Sequence, residues 1–387
     1  MKKSKKILLI AAVVFILLGA VMMGFSWHSL VGMESGKIAT MQFEETTHII
    51  AEEFDDIIIN TQNSAIELLP SSDGSCRIVC DDNEKMYHQV SFQESEDGTV
   101  LHIAQHNEWE WYETLWGLHW QEDPVLTVYL PTSEYEVVDV ITGSGDVTVA
   151  PDFRFRTLHI NATSGNTALT GIEAEHLNVL SASGDILLRS IRVSGDVYLQ
   201  HVSGFAKIEN LTASELTTYA SSGDTFLDQV SVKYLDTSAV SGKIQVYGGN
   251  FYERSSFETS SGDIEIVDSE CAEQRIKAVS GELSLQNITG ISLTAETTSG
   301  SVGIFKASYS HSALCNTVSG EIQFTGLDAE NLEFITSSGD VSGNLLSPRN
   351  FITETSSGYV DVPPSDESAG TCHIRTVSGN ISIAIKP

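Results

Sequence analysis

Positive charge is scarce in this chain. Of 387 residues only 21 are Lys or Arg, against 52 Asp and Glu, a net charge of −31. Lys2, Lys3, Lys5 and Lys6 all precede the first acid, Glu34, so the remainder sets 17 bases against 52 acids. Phosphate backbones need a basic surface, which excludes nucleic acid as a partner. Anionic lipid headgroups would be repelled by the same surface. Proline is sparse at 8 residues, and 30 glycines are too few for a disordered or collagen-like chain. Five cysteines (Cys76, Cys80, Cys271, Cys315 and Cys372) are odd in number and irregular in spacing, which is no disulfide framework. Cys76 and Cys80 on one strand face would stand roughly 13 Å apart, too far to bridge. No CxxC pair or Cys/His cluster points to zinc or another metal. The thiols are expected to be small buried hydrophobes.

Catalytic signatures are missing as well. There is no GxSxG, no HExxH, no Walker loop and no GxGxxG after a strand. The eleven histidines are scattered, with no evident pairing to Ser or Cys. The sequence therefore implies no enzyme and no cofactor. A carbohydrate-active β-helix would need acid and base residues converging on a groove. Arg154, Arg156, Arg189 and Arg192 are the one local basic cluster that could serve it.

What is present starts at the N-terminus. Behind the four lysines, Ile7 to Phe25 is an uncharged run. At the helical rise it spans about 28 Å, enough for a bilayer core. The flanking lysines put residues 1–6 in the cytoplasm and everything after Phe25 outside the cell. A cleaved signal peptide is the competing reading, but the run is long and no A-x-A site or lipobox cysteine follows. The expectation is a single-pass cell-membrane anchor at 7–25 and a polar stalk at 26–47.

The strongest signal is repetition. Ser-Gly recurs with Gly at 145, 165, 184, 204, 223, 242, 262, 281, 300, 320, 339, 358 and 379, in steps of 19 to 21. Counting from each Gly as zero, apolar residues fall at −7 (Leu177, Leu216, Leu293, Leu332), −5 (Val179, Phe257, Ile276, Phe334), +2 (Val147, Ile186, Ile244, Ile264), +4 (Leu188, Val246, Ile266, Leu285) and +7 (Ile172, Leu211, Val230, Ile288, Leu327, Leu346). Position −3 is small, as in Ser181, Ala239, Thr259 and Thr317. This period-two pattern on both sides of a turn predicts two short strands per repeat. A repeat of 19 residues cannot bury its own apolar face, whereas stacked repeats can. The fold class is therefore all-β: a single-stranded-coil β-solenoid of about 19–20 residues per coil behind one N-terminal transmembrane helix. Gly is expected to supply a left-handed corner, and the acid after it (Asp146, Asp185, Asp224, Asp263, Glu282, Glu321, Asp340) to bond its own turn. Single acids one coil apart make poor calcium sites. Ser194-Gly195-Asp196 falls out of phase.

Residues 48–135 read as an N-terminal β region and cap, and 136–387 as the repeats. Ile57–Thr61 with Ala65–Leu68 resembles a degenerate first coil. Cys76–Cys80, Val90–Phe92, Val100–Ile103 and Val125–Leu130 read as strands, with Asp97-Gly98 as a hairpin turn. Between them, Asn107 to Trp120 carries Trp109, Trp111, Tyr112, Trp116 and Trp120. Clustered aromatics offer rigid contact area for a glycan or protein partner. The alternative is a loop folded over the solenoid end to hide its edge. At the other end Lys386 and Pro387 are expected to discourage edge pairing.

The lysine-flanked anchor, Val128-Tyr129-Leu130-Pro131, and the motifs Thr142-Gly143-Ser144-Gly145-Asp146-Val147 and Thr336-Ser337-Ser338-Gly339-Asp340-Val341 together resemble the bacterial "putative adhesin" family of β-strand-repeat proteins. The likeness covers residues 48 to 387. It implies a surface-displayed solenoid and no catalytic residues. Relatives encoded beside envelope-stress signalling systems imply an alternative: a structural or regulatory envelope protein that touches another membrane protein near its anchor. The leading expectation is a surface binding or adhesion module for a cell-wall, glycan or protein partner.

Overall fold

The computed structural model describes residues 43–94, 98–108 and 124–386. The expected membrane span, Asp97 of the hairpin turn, and Trp109, Trp111, Tyr112, Trp116 and Trp120 lie outside these residues. The described chain is all β, with no helix among its elements. Its strands are parallel in the repeat, each pairing with the strand one coil away: Arg154–Ala162 lies between Glu134–Thr142 and Glu173–Ser181. Alternate side chains of every strand point inward. The expected columns at −7, −5, +2 and +4 form one continuous core, from Val147 and Leu177 to Phe334 and Ile381. At +7 the exception is Leu346, which is exposed; Leu345 takes its place, opposite Leu327, because this coil is a residue shorter. Two strands per repeat are seen, and from Phe205–Ala220 onward several run together around a bend.

The Ser-Gly corner is not left-handed, contrary to expectation. Of the repeat glycines only Gly204 has a positive φ, at 93°. Glycine is required for a different reason: a methyl group on Gly281 would overlap the carbonyl oxygen of Gly262, and the same clash recurs from coil to coil along the column. Backbone thus sits directly on backbone. The small residue at −3 has a role beyond size. Thr317 Oγ1 accepts the Gly320 N–H at 3.0 Å and donates to the Gly300 carbonyl of the neighbouring coil at 3.0 Å. Thr297 and Thr336 repeat the arrangement. The aspartate carboxylates at +1 bond the next coil rather than their own turn. Asp146 Oδ1 accepts the Asn166 N–H at 2.7 Å, Asp224 that of Lys243 at 2.8 Å and Asp263 that of Glu282 at 2.9 Å, each in the next coil.

The left-handed corner lies elsewhere. Asp152, Gly171, Ser190, Asn210, Gln229, Gly248, Asp268, Asn287, Lys306 and Gly326 all have φ between 51° and 75°. All but Asp152 stand six residues after a repeat glycine. Ser194-Gly195 is a bulge between Ile186–Val193 and Asp196–His201, and it absorbs the extra residue of that coil: pairing shifts from Ala174↔Val193 to Leu177↔Val197.

At both ends the chain steps outward and then fills in behind itself. Strands β1 to β7 are Glu44–Ile50, Asp56–Thr61, Ala65–Pro70, Cys76–Asp82, Met86–Glu94, Thr99–Asn107 and Val125–Leu130. The expected first coil, β2 and β3, lies between β6/β7 on one side and Glu134–Thr142 with Val147–Val149 on the other. Antiparallel pairing of β1 and β7 with β4, and of β5 with β6, covers the outer side. At the far end, Thr371–Thr376 and Ile381–Ile385 insert between the 332–345 coil and Asn350–Thr355 with Val360–Asp361. The last strand is therefore internal, and Lys386 does not guard the edge. The exposed edge is 350–361, followed by Pro363 and Pro364, which have no N–H to donate. Arg349, nearly buried, anchors the outward step on Asp328.

The corner makes the following outcomes measurable. Gly281→Ala should destabilise by about 3 kcal/mol or more, since backbone cannot yield to the new methyl. Thr317→Val, close in shape, should cost about 1–3 kcal/mol by orphaning a buried N–H and carbonyl. Urea midpoints check both; equal, negligible shifts would refute the stacking account. A further one concerns His201, which occupies a −3 position fully buried, with Nε2 3.2 Å from Thr225 Oγ1 and Nδ1 without a hydrogen-bond partner. Burial pushes the imidazole below its ordinary value of 6.5, against the pull of Asp224 and Asp185. The unfolded chain then takes up the proton first, so stability falls as pH drops below about 6.5. Unfolding midpoints between pH 7 and pH 5 should show this loss, and His201→Thr should lessen it.

Candidate functional site

The left-handed corners of the N-terminal coils form the floor of an open groove of about 910 Å³. Asp152, Gly171, Ser190, Asn210 and Gln229 supply one corner each, so the groove crosses five coils, about 20 Å at strand spacing. Its wall is a cross-coil ladder. Glu134, Arg154, Glu173 and Arg192 are successive partners, continued by Thr212 and Ser231. Charges alternate along it. Glu173 receives Arg154 Nε at 3.1 Å from one side and Arg192 Nη1 at 3.7 Å from the other. Two residues along, Arg156 bridges Glu136 at 2.7 Å and Glu175 at 3.7 Å, and Glu136 raises its pKa. Like partners stacked directly would repel; alternation removes that cost.

The sequence cluster of four arginines is therefore divided. Arg154 and Arg192 line the groove, and Arg156 lies beside it. Arg189 does not join them: it stands on the strand before the corner, paired at 2.8 Å with Glu209. Lys207 and then Arg189 hold the Glu209 carboxyl below its usual range. The row of acids after the repeat glycines forms no cluster of metal ligands among the described residues. Its aspartates make the coil-to-coil bonds described above, while Glu321 accepts from Gln323 Nε2 of its own coil at 2.8 Å. The aromatic candidates Trp109, Trp111, Tyr112, Trp116 and Trp120 belong to the undescribed insertion. Sequence reasoning missed the groove floor, although the recurrence of Gly171, Asn210, Gly248, Asp268, Asn287 and Gly326 was a visible signal for it.

A further grouping was not foreseen. His88 Nδ1 lies 2.7 Å from Asp82 Oδ1, and Nε2 lies 3.0 Å from Ser64 Oγ. Cys80 joins Asp82 and His88, with ligand atoms within 4.8 Å of one another. The scattered histidines do, then, include one that pairs with a serine and sits beside a cysteine. Ser64 is fully buried, so the hydroxyl of this relay has no room for a substrate. All five cysteines are free and buried, as expected.

A parallel β-solenoid with a polar, charge-alternating groove across its corners is the class of protein these features define. The sequence profile of the Toastrack DUF4097 family matches residues 54–194 and 190–314. The chain belongs to that family. Three solved structures are similar to it. A protein described as a "putative cell adhesion protein" from Clostridium sporogenes is 8% identical, with 89% of this chain and 100% of that one covered and a TM-score of 0.19. "Putative adhesin" structures from Parabacteroides distasonis and Parabacteroides merdae are 15% and 12% identical, with TM-scores of 0.25 for both. Each covers 78% of this chain, and 97% and 96% of its own. No curated protein matches the chain.

The arginine ladder is solvent-exposed, so its ion pairs contribute little to stability. Arg154→Ala and Arg192→Ala should each shift unfolding by less than about 1 kcal/mol. A thermal melt that drops well beyond this would make the ladder structural rather than available for a ligand.

Proposed function

We propose that this chain is a non-enzymatic surface-binding module. Residues 7–25 hold it in the cell membrane with the N-terminus cytoplasmic, and the solenoid stands outside, where it takes a hydroxyl-rich wall glycan. The groove is the observation that carries this reading. Arginine and carboxylate side chains alternate at strand spacing along its wall, with Ser190, Asn210, Thr212 and Gln229 beside them. Such a row offers donors and acceptors at a regular interval, which suits an extended chain of sugar hydroxyls. Arg154 and Arg192 are conspicuous in a chain of such negative charge. The aromatic residues Trp109, Trp111, Tyr112, Trp116 and Trp120 are proposed as a separate contact, of the kind sugar ring faces require. Membership of the Toastrack DUF4097 family supports the solenoid scaffold, and fold alone assigns no ligand.

The test is sedimentation of the full-length chain, in detergent, with purified cell wall. Saturable binding is expected, weakened at least about 10-fold, or 1.4 kcal/mol, by Arg154→Ala with Arg192→Ala, and by alanine at Trp109, Trp111, Trp116 and Trp120. Wall binding that ignores both sets of changes would overturn the glycan reading. Recovery of a membrane protein alone, dependent on residues 7–33, would favour a regulatory envelope role.

A further inference from the structure

We propose that Cys80, Asp82 and His88 form a site for a divalent transition-metal ion, zinc by the chemistry of its donors, that fastens the N-terminal cap to the first coil. Cys80 and Asp82 stand two residues apart on β4 and so share a face. The turn that follows is held by Asn83 Oδ1, which accepts the Lys85 and Met86 N–H groups at 2.9 and 2.8 Å. This returns β5 so that His88 meets the same two residues, and its backbone N–H donates to Asp82 Oδ1 at 3.0 Å. Thiolate, imidazole and carboxylate are the three donor types zinc accepts. A tetrahedral ion holds its donors roughly 3–4 Å apart. The three ligand atoms already lie within 4.8 Å of one another, so small movements assemble the site.

The surroundings match the chemistry. With a metal on Nδ1 the ring proton of His88 sits on Nε2, 3.0 Å from Ser64 Oγ, to which it would donate. That outer contact fixes the tautomer and the ring plane. Binding releases the Cys80 proton, while the neutral imidazole keeps its own on Nε2. The Cys80 and His88 side chains are buried, and the Asp82 side chain is 14% exposed. The opening beside Asp82 is the place for a water as fourth ligand. Ser64 belongs to the first coil and occupies the corner where later coils carry glycine. The site therefore ties the β4–β5 turn to the end of the glycine column.

Cobalt(II) titration of the full-length chain, in detergent with a non-chelating reductant, tests this. One equivalent should give a near-ultraviolet thiolate-to-cobalt band and the visible bands of a tetrahedral ion, both erased by zinc. Cys80→Ser should abolish the near-ultraviolet band, and Cys372→Ser, in the far coils, should keep it. Ser64→Ala should weaken cobalt about 10- to 100-fold with the bands retained. Asp82→Asn keeps the side-chain shape and should weaken cobalt while the thiolate band remains, so it decides the matter if Cys80→Ser fails to fold. Absence of a thiolate band in the unaltered chain, its survival in Cys80→Ser, or unchanged affinity in Asp82→Asn would each overturn the proposal.

Discussion

Each repeat glycine places its carbonyl oxygen where a side chain of the next glycine would begin. No other residue allows two turns of backbone to approach so closely. The contact would leave polar groups buried in the corner, and where position −3 is threonine, as in the coils of Thr297, Thr317 and Thr336, its hydroxyl satisfies them. One hydroxyl accepts the glycine N–H of its own coil and donates to the glycine carbonyl of its neighbour. Aspartate at +1 then takes the next coil's N–H. Corner satisfaction is thus passed from coil to coil, and no coil is complete by itself. The apolar columns inside depend on this, because they interdigitate only if the pitch is fixed.

A stack of this kind has a problem at its ends, where the last coil offers unpaired backbone. The chain meets it by placing neither β2–β3 nor Ile381–Ile385 outermost. Each is enclosed between two other coils. Antiparallel strands cover the N-terminal side. There the glycine column stops at Ser64, whose hydroxyl turns to His88, while Gln105 Oε1 accepts the Gln62 and Asn63 N–H groups. The polar cluster of Cys80, Asp82 and His88 sits where the repeat's own bonding ends.

The opposite corner has a freer chemistry. Its backbone is left-handed, and residues as different as Gly171, Gln229 and Lys306 fill it. Asn287 donates to Asp268 of the neighbouring coil at 2.7 Å, but Ser190, Asn210 and Gln229 line the groove. The groove with Arg154, Glu173 and Arg192 runs along these positions. One corner of each coil builds the solenoid, and the other is open to variation and to ligands.

Much of this was legible in the residues. The step of 19 to 21, the alternating apolar positions and the small residue at −3 determined a stacked β-coil, because period-two burial and a repeat too short to hold a core permit little else. The first coil at Ile57–Leu68 and the strands at Cys76–Cys80 and Val125–Leu130 were readable for the same reason. Why glycine is required was not readable, since conformational freedom and close approach leave the same residue in the sequence. Nor was the coil order at either end. Every coil carries the same signature, so moving Thr371–Ile385 inside Asn350–Asp361 leaves the spacing of Gly339, Gly358 and Gly379 unchanged. The meeting of Cys80, Asp82, His88 and Ser64 depends on one hairpin folding back over that order. The sequence by itself determined the repeating unit, through local pattern and burial; the tertiary structure decided which units are neighbours, because pairing between equivalent edges is settled by contact alone.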